Sequence, residues 1–197
     1  MTEGRIYNFR VESRNELGFS AYSEVLPILA AQIPGTPSAP STTNLGKNIQ
    51  ISWSPPDDGG TIITAYTIHI RNVDGSDFAI DTTNCDGSDP TIVADRSCLV
   101  PNKDLNEAPH NLLWGDSVYA KFTVTNFYGT SPDSPVGNGA TLVNGPSAPL
   151  NFAEDRSLTS GYTIGLTWDE GVDNGGTPVL DYAVWGDQAT GTWIQLA

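Results

Sequence analysis

The chain has 197 residues, of which 38% are hydrophobic and 16% charged, a balance that supports a packed core and excludes a disordered polymer. Its 23 acidic against 9 basic side chains give a formal net charge of -14, which repels phosphate backbones and argues against nucleic acid as a partner. No stretch approaches the roughly 18 apolar residues of a membrane helix, so no membrane insertion is expected; Met1-Thr2-Glu3-Gly4-Arg5 also lacks the apolar core of a signal peptide, and the natural N-terminus is expected to lie upstream.

In chain order, the first segment carries the alternating string Tyr7-Asn8-Phe9-Arg10-Val11-Glu12-Ser13-Arg14-Asn15 followed by Glu16-Leu17-Gly18-Phe19-Ser20. Strict alternation predicts a half-buried strand, and Gly18 predicts a turn after it. A stretch rich in Pro, Ser and Thr, Pro34 to Thr43, reads as a linker. Its Ser38, Ser41, Thr42 and Thr43 are candidates for O-glycosylation. The next predicted strand is Ile49-Gln50-Ile51-Ser52-Trp53; after it comes the loop Pro55-Pro56-Asp57-Asp58-Gly59-Gly60, and then Tyr66 inside another alternating strand. Glycines of such a loop supply positive φ.

An insert follows, with two Asp-Gly-Ser-Asp strings. Asp74, Asp77, Asp86 and Asp89 are weak calcium candidates by their oxygen content, but neither string has the twelve-residue loop with a closing glutamate, and Asp-Gly is a common turn signal. Turns are the favoured reading, with no metal site assigned. The two cysteines, Cys85 and Cys98, have no Cys-x-x-Cys or Cys/His metal spacing. A local disulfide is favoured over two free thiols, which implies an oxidising compartment. His69 alternates with Ile68 and Ile70 and is expected to face solvent; His110 falls in a loop.

The string Val118-Tyr119-Ala120-Lys121-Phe122-Thr123-Val124-Thr125-Asn126, with Phe127-Tyr128-Gly129-Thr130-Ser131 after it, repeats the first segment at a shift of 111 from Asn15 to Asn126. Pro146-Ser147-Ala148-Pro149 repeats Pro37-Ser38-Ala39-Pro40 at a shift of 109. Ile164-Gly165-Leu166-Thr167-Trp168, a loop ending in Gly175-Gly176, and Tyr182 complete the second set in the same order. Two markers thus give one domain-sized period of about 110.

These strings resemble fibronectin type III domains: a proline-rich entry, a tryptophan on the second strand, a Gly-Gly loop, a tyrosine on the third, and a tyrosine-x-apolar-x-apolar-x-small-x-asparagine strand before a glycine turn. The resemblance implies an all-β architecture of tandem immunoglobulin-like β-sandwiches, with Trp53, Trp168, Tyr66, Tyr182 and Tyr7 as core markers and a tyrosine corner at Tyr7. In the middle copy Val118 stands where that tyrosine belongs. The Cys85-Asp86-Gly87-Ser88-Asp89 insert is similar to one in fibronectin type III-like repeats of large surface proteins of unicellular eukaryotes.

Placed along the chain, the markers give the C-terminal part of a module over 1–32, a complete module over 33–143, and the N-terminal part of a third over 144–197. Half a sandwich leaves an apolar face and open strand edges. The segment is therefore expected either to belong to a longer array or to be completed head to tail by another copy. Joining the chain ends on paper leaves such a completed module about one strand short. The expected function is that of a structural or adhesive unit of an extracellular or cell-surface array or filament, without cofactors, whose partners are copies of itself or neighbouring modules. The alternative is a ligand-binding module, of carbohydrate or receptor type, with Trp114, Trp185 and Trp193 as surplus aromatics for glycans. No Gly-x-Ser-x-Gly, His-Glu-x-x-His or phosphate-cradling loop occurs, so no enzyme is expected.

Overall fold

The computed structural model describes residues 1–196; Ala197, at the end of the expected third segment, lies outside them. The chain divides into two compact units, Met1–Leu142 and Val143–Ala197. Within the first unit, the middle module is a two-layer β-sandwich. One layer has β5 (Ser41–Leu45), β6 (Asn48–Ser52) and β9 (Ser97–Pro101), in the order β5-β6-β9. The other has β7 (Ile63–Arg71), β8 (Phe78–Ile80), β10 (Ala120–Asn126) and β11 (Gly129–Thr130), in the order β11-β10-β7-β8.

The alternation read from the sequence places the core. Ile49 and Ile51 of β6, with Trp53 just beyond it, face Tyr66, Ile68 and Ile70 of β7 and Ala120, Phe122 and Val124 of β10, all buried. The Trp53 ring centroid lies 5.1 Å from that of Tyr66 and 5.6 Å from that of Phe122, spacings at which tilted aromatic pairs attract beyond simple area burial.

The insert forms two short helices that the strand pattern gave no reason to expect. The second Asp-Gly-Ser-Asp string ends in Asp89, whose side chain accepts from the Thr91 N–H and caps α1 (Pro90–Asp95), with Pro90 at its start. Arg96, at φ 54°, turns the chain into β9. A second helix, α2 (Asn102–Asn106), follows β9 directly. The Cys85–Cys98 disulfide is formed, with a sequence separation of 13, and ties this excursion to the core.

Residues 1–32 fold as two small antiparallel ladders: β1 (Ile6–Phe9) with β4 (Leu26–Leu29), and β2 (Arg14–Asn15) with β3 (Gly18–Phe19). The Tyr7 hydroxyl accepts from the Thr2 backbone N–H at 2.5 Å, the upstream bond of a tyrosine corner. The second unit has β12 (Leu150–Glu154) paired with β13 (Leu166–Asp169), and β14 (Trp185–Gly186) paired with β15 (Ile194–Gln195).

One sequence equivalence is corrected by the backbone. Gln32 donates to the Gly59 carbonyl and Gly35 to that of Asp57; Asn144 donates to Gly175 and Ser147 to Asp173 in the same way. Likewise Ser41 lies opposite Ser52, and Ala153 opposite Thr167. The structural counterpart of Pro146-Ser147-Ala148-Pro149 is therefore Pro34-Gly35-Thr36-Pro37, at a shift of 112, and not Pro37-Ser38-Ala39-Pro40. The linker contains proline at both places, and only the hydrogen bonds to the glycine loop distinguish them.

Candidate functional site

The middle module shows what a closed sandwich requires. Strand β10 lies antiparallel to β7 with Lys121 opposite His69, Phe122 opposite Ile68, Thr123 opposite Thr67, Val124 opposite Tyr66 and Thr125 opposite Ala65. On its other edge, the Val124 and Phe122 carbonyls accept from the Ser131 and Ser134 backbone N–H groups at 2.8 and 2.9 Å. The Ser131 and Ser134 hydroxyls accept in return from the Val124 and Phe122 N–H groups at 3.0 Å. At the strand's end, the Asn126 side-chain amide donates to the carbonyls of Gln32 and Asp58, each at 2.8 Å. It joins the module's entry segment to its glycine loop.

Residues 1–32 reproduce the outer half of this arrangement bond for bond. The Ser13 and Val11 carbonyls accept from Ser20 and Ser23 N–H groups at 2.8 Å, and the Ser20 and Ser23 hydroxyls accept from Ser13 and Val11 at 3.0 Å. Asn15 Oδ1 accepts from Leu17 N–H at 2.8 Å as Asn126 Oδ1 does from Tyr128. Backbone groups alternate between the two edges of a strand, so those of Arg10, Glu12 and Arg14 face the edge that β7 occupies in the middle module. Sequence reading found the strand; it missed Ser23, whose spacing of three from Ser20 matches that of Ser134 from Ser131.

The second unit reproduces the opposite half. Trp168 packs against Tyr182 at 5.5 Å, as Trp53 does against Tyr66. Gly175 and Gly176, at φ 70° and 84°, form the turn that Gly59 and Gly60 form at 71° and 79°. A groove lined by Phe152, Trp168, Tyr182, Val184 and Trp185 remains. Strand β14 has β15 on one edge, as β7 has β8.

Both halves leave open what the middle module covers. Ile49 is fully buried, whereas its counterpart Ile164 is 79% exposed; Phe122 is fully buried, whereas its counterpart Val11 is 71% exposed. Tyr182 is 38% exposed against 4% for Tyr66. Phe9, Phe19, Leu26 and Ile28 in the first fragment, and Phe152, Leu180, Trp185 and Trp193 in the second unit, are exposed as well.

The remaining candidates resolve individually. Asp74 accepts from Ser76 N–H and Asp77 from Phe78 N–H, while Asp86 binds both the N–H and hydroxyl of Ser88, and these bonds hold its carboxyl below its usual range. They are turn and cap residues, and among the described residues no group of three His, Cys, Asp or Glu is arranged to hold a metal ion. Thr42 is corrected as a glycosylation candidate: it is buried, its hydroxyl donating to the Val118 carbonyl and accepting from Ala140 N–H, with no room for a sugar. Ser38, Ser41 and Thr43 are exposed. His110 is buried, in the turn after a cis Ala108-Pro109 bond; burial pushes its imidazole below the ordinary value, and the Asp81 charge opposes this in part. His69 is half-buried beside Lys121 and is lowered by desolvation too. Trp114 is partly buried against the core, unlike Trp185 and Trp193.

No protein-family model matches the chain. It is 28% identical over 195 residues to a tyrosine-protein phosphatase Lar-like protein of Caenorhabditis elegans, covering 93% of this chain and 9% of that protein. It is 25% identical over 190 residues to fibronectin type-III domain-containing protein 3a of Gallus gallus, covering 92% of this chain and 14% of that one. The chain thus spans a small part of the length of these relatives. A crystal structure of titin domains aligns with a TM-score of 0.48 at 15% identity, over 72% of this chain and 42% of the other. The fold is an all-β sandwich, and the chain is similar to proteins named for fibronectin type III domains.

Proposed function

We propose that the chain is a structural or adhesive unit of an extracellular repeat array or filament, assembled from tandem or head-to-tail completed β-sandwich modules. The observation that carries this reading is recurrence: the serine-mediated bonds of the middle module are repeated in residues 1–32, and its entry bonds, glycine turn and aromatic pair are repeated in residues 143–196. A disulfide in the insert supports an oxidising, extracellular setting, and the insert's likeness to repeats in large surface proteins of unicellular eukaryotes supports the same. The unit acts mechanically. Prolines at 34, 37 and 40 stiffen the entry to the middle module, ladders transmit load along the backbone, and the net charge of -14 keeps the surface solvated. Electron microscopy of native material tests the reading: fibres with an axial repeat of one or two modules are expected, and isolated particles would count against it.

A second reading is favoured by the aromatic groove of the second unit, whose Trp168, Tyr182 and Trp185 suit the stacking of a sugar ring. Glycan-array binding that is lost in Trp185→Ala would favour it over assembly.

A further inference from the structure

The insert of the middle module walls a cleft of about 250 Å³ between the end of β8 and the turn after α2. The cleft lies wholly within the closed module and is independent of the array reading above. Its volume is below the roughly 300–1,000 Å³ of sites for drug-sized ligands, so it suits a group the size of one side chain.

The wall chemistry is one-sided. Three carboxylates, Asp81, Asp104 and Glu107, line the cleft. Asp81 Oδ1 accepts from the Thr83 and Asn84 N–H groups at 2.9 and 3.0 Å. The Asn84 side-chain amide donates to Asp81 Oδ2 at 2.9 Å and to Asp104 Oδ2 at 3.1 Å, which brings the two carboxylates to one nitrogen. Cys85 follows directly, and its bond to Cys98 holds this turn to the core. Lys103 offsets the charge in part, its ammonium 3.6 Å from Asp104 Oδ1 but 79% exposed, where an ion pair contributes little.

His110 is the second, independent observation. It lines the same cleft, is 2% exposed, and neither ring nitrogen completes a hydrogen bond among the described residues. Its backbone is held from both sides: its carbonyl accepts from the Val73 N–H at 2.9 Å, and its N–H donates to the Glu107 carbonyl at 3.1 Å. Desolvation favours the neutral ring and outweighs the Asp81 charge and the Ile70 carbonyl, which favour the protonated one. A neutral imidazole presents one acceptor nitrogen, and a buried polar group left unpaired is costly. An unpaired acceptor among carboxylates is best satisfied by a donor that carries positive charge.

We propose that this cleft binds a primary alkylammonium group, its N–H donors shared between the carboxylates and the His110 ring, its stem against Ile80 and Pro109. An ammonium has three donors and no acceptor, matching a wall of acceptors. A guanidinium suits the site less well, because its flat fork pairs with two free oxygens of one carboxylate. Both oxygens of Asp81 and one of Asp104 are already engaged. A metal ion suits it less well too, since no group of three His, Cys, Asp or Glu among the described residues is arranged to hold one. The ammonium can come from a lysine side chain of a protein partner or from a free amine, and both present the same chemistry.

The test uses the whole 197-residue chain with its disulfide intact. The imidazole resonances of His110 and His69 are followed by NMR during titration with n-butylammonium at constant ionic strength. A saturable shift is expected at His110 and at the Asn84 side-chain amide, with His69 unmoved. Butanol, which has the stem without the charge, and tetramethylammonium, which has the charge without N–H donors, are expected to leave His110 unmoved. Glu107→Gln, at an exposed position, is expected to weaken binding ~5-fold without moving the thermal midpoint. Acetyl-lysine amide, with its side-chain ammonium free, and putrescine distinguish the sources. Equal affinity for acetyl-lysine amide and butylammonium supports a lysine on a protein, a preference for putrescine supports a free amine, and either result upholds the ammonium site. Shifts as large with tetramethylammonium, or as large at His69 as at His110, would mean non-specific attraction to the acidic surface and would overturn the proposal. The absence of any shift would overturn it as well, and none of these results bears on the array reading.

Discussion

The middle module and its two incomplete copies share a sequence pattern but not its consequence. In the middle, β6 buries every second side chain because β7 and β10 stand across from it; in the second unit, the segment leading into and through β13 carries the same alternation, and Ile164 before the strand and Leu166 at its start lack that cover. Local chemistry recurs in both copies: the glycine turn, the entry bonds and the aromatic pair in the second unit, and the serine-mediated bonds in residues 1–32. What differs is the cross-strand partner. Residues 179–184 show why this matters, since they carry the pattern of β7 but form no ladder without a strand beside them. An alternating sequence specifies which face is apolar, while the strand itself requires a neighbour.

The sharpest way to break the comparison is to remove the residue that closes the middle module. Phe122→Ala should destabilise the module by ~3–5 kcal/mol in denaturant unfolding, as a large-to-small core change. Its counterpart, Val11→Ala, should stay within ~0.5 kcal/mol for a dilute chain, as an exposed substitution does. A large effect of the latter at low concentration would mean that the first fragment is already covered.

Removing the disulfide comes next. The paired Cys85→Ser and Cys98→Ser variant should lose ~3 kcal/mol by the loop-closure model, measured by thermal or urea unfolding of the middle module.

A smaller effect is expected at the glycine turns, where both modules can be compared directly. A Cβ on Gly59 would collide with the Gln32 carbonyl, and one on Gly175 with that of Asn144, both at positive φ. Gly59→Ala should cost more than ~1 kcal/mol, and Gly175→Ala should disturb the second unit at the same site, seen as local loss of amide protection.

The gentlest lever is pH. His110 and His69 both have folded values below the ordinary one, so the unfolded state binds the extra protons. Stability should be full above the ordinary histidine range, near 6.5, and should decline as pH falls through it toward the folded values. His110→Gln should reduce the slope, with His69 supplying the remainder; an unchanged slope would remove His110 as a contributor.

Much of this architecture was legible in the residues because a repeat within one chain supplies its own control. Trp53 and Tyr66 lie in the core and the glycine loops turn where the pattern placed them, since each answers to a local rule of alternation or turn geometry, whereas Tyr7, expected as a core marker, is only half-buried. The proline entry was misplaced by three residues because proline content alone does not fix a register; hydrogen bonds to Gly59 and Asp57 do. Helix α1 escaped notice because an Asp-Gly-Ser-Asp string reads equally as a turn or as a cap, and only Pro90 after Asp89 tips it toward the latter. Burial of His110 and Thr42 depends on long-range partners such as Val118 and Ala140, far along the chain from Thr42.

Amide hydrogen exchange of the 197-residue chain tests most directly whether a cross-strand partner is what separates the modules. Strong protection is expected along β7 and β10, which pair with one another, and fast exchange at Arg10, Glu12 and residues 181–183, which carry the same patterns without that partner. Protection of these residues equal to that of β7 and β10 would contradict it.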